Sequence, residues 1–279
     1  MAVDLHTHST ASDGSESPSA LVDMAAGLGL SVLALTDHDT LEGIGEARDS
    51  AARNGVDLIS GTEISLDYLG GMHLLVLWLE PGPGPLQDRL GGLQDGRVGR
   101  NAAIVEALTD LGMPMSIEEV IAQSGGGSVG RPHIAAVMMR KGYVDSVAEA
   151  FDLWLGTGRP AYAARPRLSP EEAIGLARES GGVPILAHPH TLGINRSHEM
   201  ADMLVRLRSA GLVGLEAMYA AYHRHEREGY ADLARRFGLV ASGGSDYHGS
   251  YKPGLELGIG YGDLVVPDRV VDSLRDAVS

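Results

Sequence analysis

The chain contains no cysteine. That absence excludes a disulfide framework, a thiolate nucleophile and cysteine-ligated zinc. Aromatic residues are scarce at 5%, so leucine, valine, alanine and isoleucine must fill the interior. No apolar run approaches the ~20 residues needed to span a bilayer. The stretch Met1–His6 lacks the basic and apolar regions of a signal peptide. Together these absences predict a cytoplasmic chain. Basic residues are outnumbered, 22 against 37 acidic, for a net charge of −15. A broad phosphate-coating surface is therefore not expected. A phosphate-bearing substrate would need a local positive centre, such as bound metal ions.

The 279 residues, 44% apolar and 21% charged, fit one large globular domain or two modest ones. Short apolar runs predict strands at 2–8, 32–35, 56–59, 183–187, 213–217 and 239–242. Between them, the spacing predicts helices at 17–28, 40–54, 170–180, 198–210, 224–237 and 267–277. Such alternation implies parallel βαβ units with functional residues at the strand C-termini. The runs 63–68 and 72–79 flank Gly70-Gly71 and predict a hairpin. Composition shifts at Pro81–Pro85, and the pattern is then helical to Pro166. The expected organisation is residues 1–84 and 167–279 as two parts of one body, with 85–166 a helical insertion capping the substrate. Gly125-Gly126-Gly127 lacks the strand and the Lys-Ser/Thr helix start of a nucleotide P-loop, and reads as a plain loop.

Histidine carries the functional signal. In His6-Thr7-His8, side chains two apart on a strand share a face and can grip one metal. Asp13, in Ser12-Asp13-Gly14, could fold a carboxylate back over that strand end. Thr36-Asp37-His38-Asp39 follows a buried strand; Asp39 or Thr40 would cap the next helix, but His38 would have no such duty. Glu63 follows Gly61-Thr62, and His73 lies in an apolar run, where a lone histidine is usually a core residue. Ala187-His188-Pro189-His190 and Gly244-Ser245-Asp246-Tyr247-His248 follow two further strands. Each cluster alone has an ordinary explanation. Six at successive strand ends would converge on one rim if the strands close into a barrel. Imidazole and carboxylate donors without thiolate suit Mn²⁺, Fe²⁺ or Zn²⁺ rather than a Ca²⁺ cage.

In order and over nearly the whole chain, these motifs resemble the polymerase and histidinol phosphatase (PHP) family of metal-dependent phosphoesterases. Gly130-Arg131-Pro132-His133-Ile134-Ala135 and the segment 148–162 resemble the inserted domain of one subgroup, which contains 3′,5′-nucleotide bisphosphate phosphatases and 5′-to-3′ exoribonucleases. The resemblance implies an α/β fold, a distorted (β/α)7 barrel with a small helical insertion. It implies two to three divalent ions. His6, His8, Asp246 and Glu63 would hold one; Glu63 would bridge to a second with His73 and His188; Asp13, His38 and His248 would hold the third. Glu63, Asp246 and His188 would be catalytic, with a metal-bound hydroxide as nucleophile. Arg131 and His133 would grip the substrate outside the metals. Arginine suits this because its fork binds phosphate in a bidentate way. Tyr219, Tyr222 and His223 could line the mouth, whereas His225 reads as solvated.

The expected reaction is hydrolysis of the 3′-phosphate of a nucleoside 3′,5′-bisphosphate, with trimming of short 5′-phosphorylated RNA as a further activity. The expected partners are therefore a nucleotide or short RNA, with neither membrane nor protein partner. Histidinol-phosphate phosphatase is the alternative enzyme, and a metal-binding regulatory module the alternative of another class. A carbamylated-lysine centre for C–N hydrolysis lacks a candidate, since Lys141 and Lys252 are the only lysines.

Overall fold

Each short apolar run becomes a strand where its leucine, valine and isoleucine side chains can be covered on both faces. The computed structural model describes residues 2–68, 71–124, 129–194 and 196–277; Gly70 and the glycine run 125–127 lie outside them. In chain order the elements begin β1 (Ala2–Asp4), α1 (Pro18–Gly27), β2 (Leu30–Leu35), α2 (Ile44–Asn54), β3 (Asp57–Ser65) and β4 (His73–Leu77). A helical segment follows: α3 (Gln87–Asp110), α4 (Ile117–Gln123), α5 (Arg131–Arg140) and α6 (Val147–Ala150), which runs on as a π turn over Phe151–Leu155. The alternation then resumes with α7 (Pro170–Glu179), β5 (Val183–Leu186), α8 (Ser197–Ser209), β6 (Gly214–Tyr219), α9 (Arg224–Arg236), β7 (Val240–Gly244) and α10 (Arg269–Asp276). None of the described helices is long and apolar enough to cross a membrane.

Among the described residues the seven strands lie in sequence order in one sheet. The sheet nearly closes beyond β1 and β7. There Asp246 N–H donates to the His6 carbonyl at 2.8 Å and His8 N–H to the Tyr247 carbonyl at 3.0 Å. The α/β barrel expected from the resemblance is thus present.

One expectation needs correction. The runs 56–59 and 63–68 do not form separate strands; nine residues form the single strand β3. Gly61 reads as a break but marks close approach instead: a Cβ there would stand 2.8 Å from the Val76 carbonyl oxygen. The hairpin expected about Gly70-Gly71 is present in its pairing: β4 runs antiparallel to β3, and to β5 as well. This hairpin reverses the chain within an otherwise parallel sheet.

That reversal leaves β4 ending at the rim opposite His73. α3 bridges the distance. Its 24 residues span ~36 Å. Leu90 and Leu93 pack into a barrel-side core with Ile64, Leu74 and Ile174. Ile104, Val105 and Leu108 pack into a separate core with Val120, Ile134, Val137 and Met138. Between these apolar stretches, Arg97 and Arg100 are buried polar residues. A third core joins β1, β2 and β5 to α1, α2 and α10 through Val3, Leu33, Ile185, Leu21, Ile44 and Leu274.

Candidate metal centre and its flanking cavity

The extended chain after β1 places His6 and His8 on one face, both fully buried. Ser12-Asp13-Gly14 does fold back over them. Asp37 fixes this loop, accepting from Ser9 N–H at 2.8 Å and from the Ser12 hydroxyl at 2.6 Å. Gly14 is needed for the approach, since a Cβ would lie 2.3 Å from the His8 carbonyl oxygen. The carboxylate of Asp13 then stands 3.4 Å from His248 Nε2 and 3.8 Å from both His8 Nδ1 and His38 Nε2.

Glu63 occupies the middle of the cluster. Its Oε1 lies 2.8 Å from His73 Nδ1 and 2.9 Å from His188 Nε2. Its Oε2 lies 3.3, 3.2 and 3.3 Å from His6, His8 and His38. Asp246 Oδ1 completes the near side, 3.5 Å from His6, 3.4 Å from His8 and 3.3 Å from His248. All nine residues named from the sequence are therefore brought together. The donor atoms of eight of them form three overlapping groups: His8, Asp13, His38 and His248; His6, His8, Glu63 and Asp246; His38, Glu63 and His73. His188, expected beside His73, joins none of these groups and meets the cluster through Glu63 Oε1. Within each group the donor atoms lie within 4.8 Å of one another. His8 and His38 each belong to two groups, a sharing that the motif spacing did not reveal. His188 and Asp246 have positive φ, 23° and 56°. Such strained backbone at a cluster of donors is a mark of a functional site.

Metal ions fit this donor set. His6 Nε2 and both ring nitrogens of His8 are buried without a hydrogen-bond partner, an arrangement that costs free energy unless something else takes the lone pairs. Burial alone would raise Glu63, yet the imidazoles of His38, His73 and His6 hold it well below the usual carboxylate range. Asp13 is held low in the same way by His38 and His248. Burial lowers His38, His73 and His248, favouring the neutral, ligating imidazole. His6 behaves oppositely: burial would lower it, but Glu216, Glu63 and Asp246 raise it well above the ordinary value.

Glu216 escaped the sequence reading. Its Oε1 lies 2.9 Å from His6 Nδ1, and its Oε2 accepts from His188 N–H at 2.6 Å. One fully buried carboxylate thus orients two candidate ligands, as supporting residues of metal-ligating histidines do. The available signal was an acidic residue inside an apolar strand. Lys252 was also missed as a site residue: its Nζ lies 2.5 Å from Asp246 Oδ2, which accepts from the Tyr219 hydroxyl at 2.8 Å as well. Tyr222 meets His190 Nδ1 at 3.0 Å. His223 is exposed at the start of α9, away from the donors.

A cavity of about 180 Å³ opens beside the donors. Glu63, His73, His188 and Asp246 are among its lining, and Arg97, Arg100, Arg131 and Arg167 supply four guanidinium groups. Asp39 does not cap α2, as its position in the sequence suggested. Gly43 takes the N-cap place. Asp39 Oδ2 instead accepts from Arg97 Nε at 2.6 Å and from Arg165 Nη2 at 2.8 Å. Among the described residues Arg100 bonds only the Asn101 side chain, at 3.2 and 2.8 Å. Burial, with Arg97 and Arg131 nearby, presses it down to about 8. Arg131 is lowered to about 10 by burial and by Arg167 and Arg97. Its guanidinium lies 5.3 Å from the Phe151 ring centroid. His133 is not among the lining residues; it is fully buried, and its Nδ1 accepts from Gly130 N–H at 2.9 Å, closing the first turn of α5 on which Arg131 stands.

The chain is similar to known proteins in sequence and fold. The PHP domain family matches residues 4–157. A 3′,5′-nucleoside bisphosphate phosphatase of Chromobacterium violaceum is 30% identical, over 92% of this chain and 90% of its own. A 5′-3′ exoribonuclease of Haemophilus influenzae is 34% identical, over 88% and 89%. Among solved structures, a protein of Bifidobacterium adolescentis assigned as a metal-dependent phosphoesterase superposes with a TM-score of 0.86 at 30% identity, covering 99% of this chain and 96% of its own. A barrel rim crowded with imidazole and carboxylate donors, matched along almost its full length, thus places the chain in the PHP domain family as a metal-dependent phosphoesterase.

Proposed function

We propose that the chain removes the 3′-phosphate from nucleoside 3′,5′-bisphosphates and trims short 5′-phosphorylated RNA from that end, using two to three divalent ions of the Mn²⁺, Fe²⁺ or Zn²⁺ kind. The observation that carries this reading is the small cavity, whose lining combines candidate metal ligands with four arginines. A substrate with one phosphate at the metal ligands would leave Arg100 and Arg131, which pair with no carboxylate among the described residues, facing no anion. Two phosphates on one ribose satisfy both sets of groups, and a 3′,5′-bisphosphate is what the phosphatase among the relatives is named for.

Bound at His6, His8, Asp13, His38, Glu63, His73, His188, Asp246 and His248, divalent ions would supply an acidified water and neutralise phosphoryl oxygens. The chain's own residues do the rest. Glu63 sits between five imidazoles, and Glu216 holds His6 and His188 in orientation. Tyr219 and Lys252 fix Asp246. Arg131 offers its fork to the 5′-phosphate, and His133 positions Arg131 through the α5 cap rather than touching substrate. The division follows charge: the metal side stabilises a transition state, whereas guanidinium groups suffice for ground-state anchoring.

Adenosine 3′,5′-bisphosphate should yield 5′-AMP and inorganic phosphate, and 5′-hydroxyl RNA should be a poor substrate. Release of 3′-AMP as main product, equal trimming of 5′-hydroxyl RNA, or preference for histidinol phosphate would overturn the reading.

A further inference from the structure

A larger groove adjoins the arginine cavity. Pro132, Phe151, His248 and Lys252 line both, so the groove is continuous with the candidate metal centre. It encloses about 980 Å³ against about 180 Å³ for the cavity. The two phosphates of the proposed bisphosphate account for the smaller space and leave the larger one without an occupant. Met139, Ala148, Tyr251 and Tyr261 are among its lining. Tyr261 is 58% exposed and Met139 39%, so apolar faces look out into the groove rather than into a core. The two cationic side chains of its lining are engaged: Lys252 with Asp246, and Arg140 with the Gln123 side-chain oxygen at 2.7 Å.

This surface suits flat rings with polar edges far better than it suits a phosphate backbone. We propose that the groove is a track for the bases of an RNA strand on the 3′ side of the bond being cut. The proposal rests on the bisphosphate reading for the direction of the strand. With the 5′-phosphate among the arginines and the scissile phosphate at the metal ligands, the downstream chain leaves past His248 and Lys252, where the groove begins. Bases stack on aromatic faces without regard to sequence. Affinity should therefore grow with strand length and not with base identity. Because the walls offer few unengaged charges, this gain should depend only weakly on salt, unlike backbone binding.

The test uses metal-loaded enzyme with 5′-phosphorylated oligoadenylates of two to five nucleotides beside adenosine 3′,5′-bisphosphate. KM should fall as length increases. Tyr261→Ala should reduce the preference for the tetranucleotide over the bisphosphate about tenfold, a stacking contact's usual worth. Ala148→Trp obstructs the groove from an exposed position and should act in the same direction. Fluorescence anisotropy of a labelled phosphorothioate tetranucleotide gives binding independently of turnover. A KM indifferent to length, an equal effect of both variants on both substrates, or a steep salt slope for the length gain would overturn the proposal. So would a tetranucleotide that binds wild type and both variants alike, the result expected if the groove instead docks a protein. Should the bisphosphate not be hydrolysed while the tetranucleotide binds and the variants weaken it, the reading of the substrate fails and the groove stands.

Discussion

Two oxygens of Glu63 approach five imidazoles, so one substitution disturbs more of the centre there than anywhere else. Glu63→Gln keeps the shape and removes the charge. Elemental analysis should find at least one ion lost, together with nearly all phosphatase activity; unchanged metal content would show that Glu63 bridges nothing. Arg100 presents the reverse problem. It is a buried cation among cations, lowered to about 8 by burial, Arg97 and Arg131, and an entering phosphate relieves that repulsion. Arg100→Gln retains a donor for Asn101 and removes the charge, so the ligand-free chain should melt higher. In wild type, 5′-AMP at a hundred times its Kd stabilises by ~2.7 kcal/mol, or roughly 5–10 °C for a chain of this size. In the variant this shift should shrink. Differential scanning fluorimetry checks both signs, and a lower melting point with an undiminished shift would contradict the argument. These residues differed in legibility. His6, His8, His38 and His248 belong to motifs a few residues long, readable because strand geometry makes neighbours of near positions. Glu216 lies 210 residues from the His6 it orients, a relation that no local pattern encodes.

At the level of elements, the α/β alternation and most helices followed from periodicity and caps. Ser17 and Ser169, each followed by proline, begin α1 and α7 as such sequences should. The reversal of β4 was legible too, because Gly70-Gly71 between two apolar runs marks a hairpin. What periodicity could not give was the joints between elements. Asp39 reads like a cap, yet it joins the barrel to α3 and to the chain before α7 through Arg97 and Arg165, partners 58 and 126 residues away. Asp39→Asn leaves two buried guanidinium groups without their carboxylate, a change worth ~3–5 kcal/mol. Calorimetry should show that loss; a change within about 0.5 kcal/mol would mean the joint contributes little. The pH dependence follows in sign. Burial would raise Asp39, but Arg97 and Arg165 outweigh it and hold the folded value below the ordinary one. Stability from the joint is therefore complete above the unfolded value of about 3.9 and fades as pH falls through the lower folded value. The variant's deficit should narrow in strong acid.

The whole molecule carries −15, yet it gathers four arginines around one small cavity. Screening beyond about 8–10 Å at ordinary salt lets that local field act on a phosphate at contact despite the acidic exterior. Composition argued against a basic coat but could not locate the cluster of arginines, because they come from α3, α5 and the stretch before α7. α3 ties them to the barrel, and it does so with a rigid screw. Its first half is anchored in one core and its second half in another, with Arg97 and Arg100 between. Each residue added to an α-helix advances it 1.5 Å and turns it ~100°. One extra residue between Leu93 and Arg97 would leave both anchors intact and swing the guanidinium groups away from the cavity. A heptad would bring them back to within ~20° of their heading, but ~10 Å further along. The reach between the candidate metal ligands and the arginines is thus not a continuous variable in this architecture. Lengthening α3 can change it only in coarse, discrete steps, and substrates of intermediate span would have to be met by loops instead.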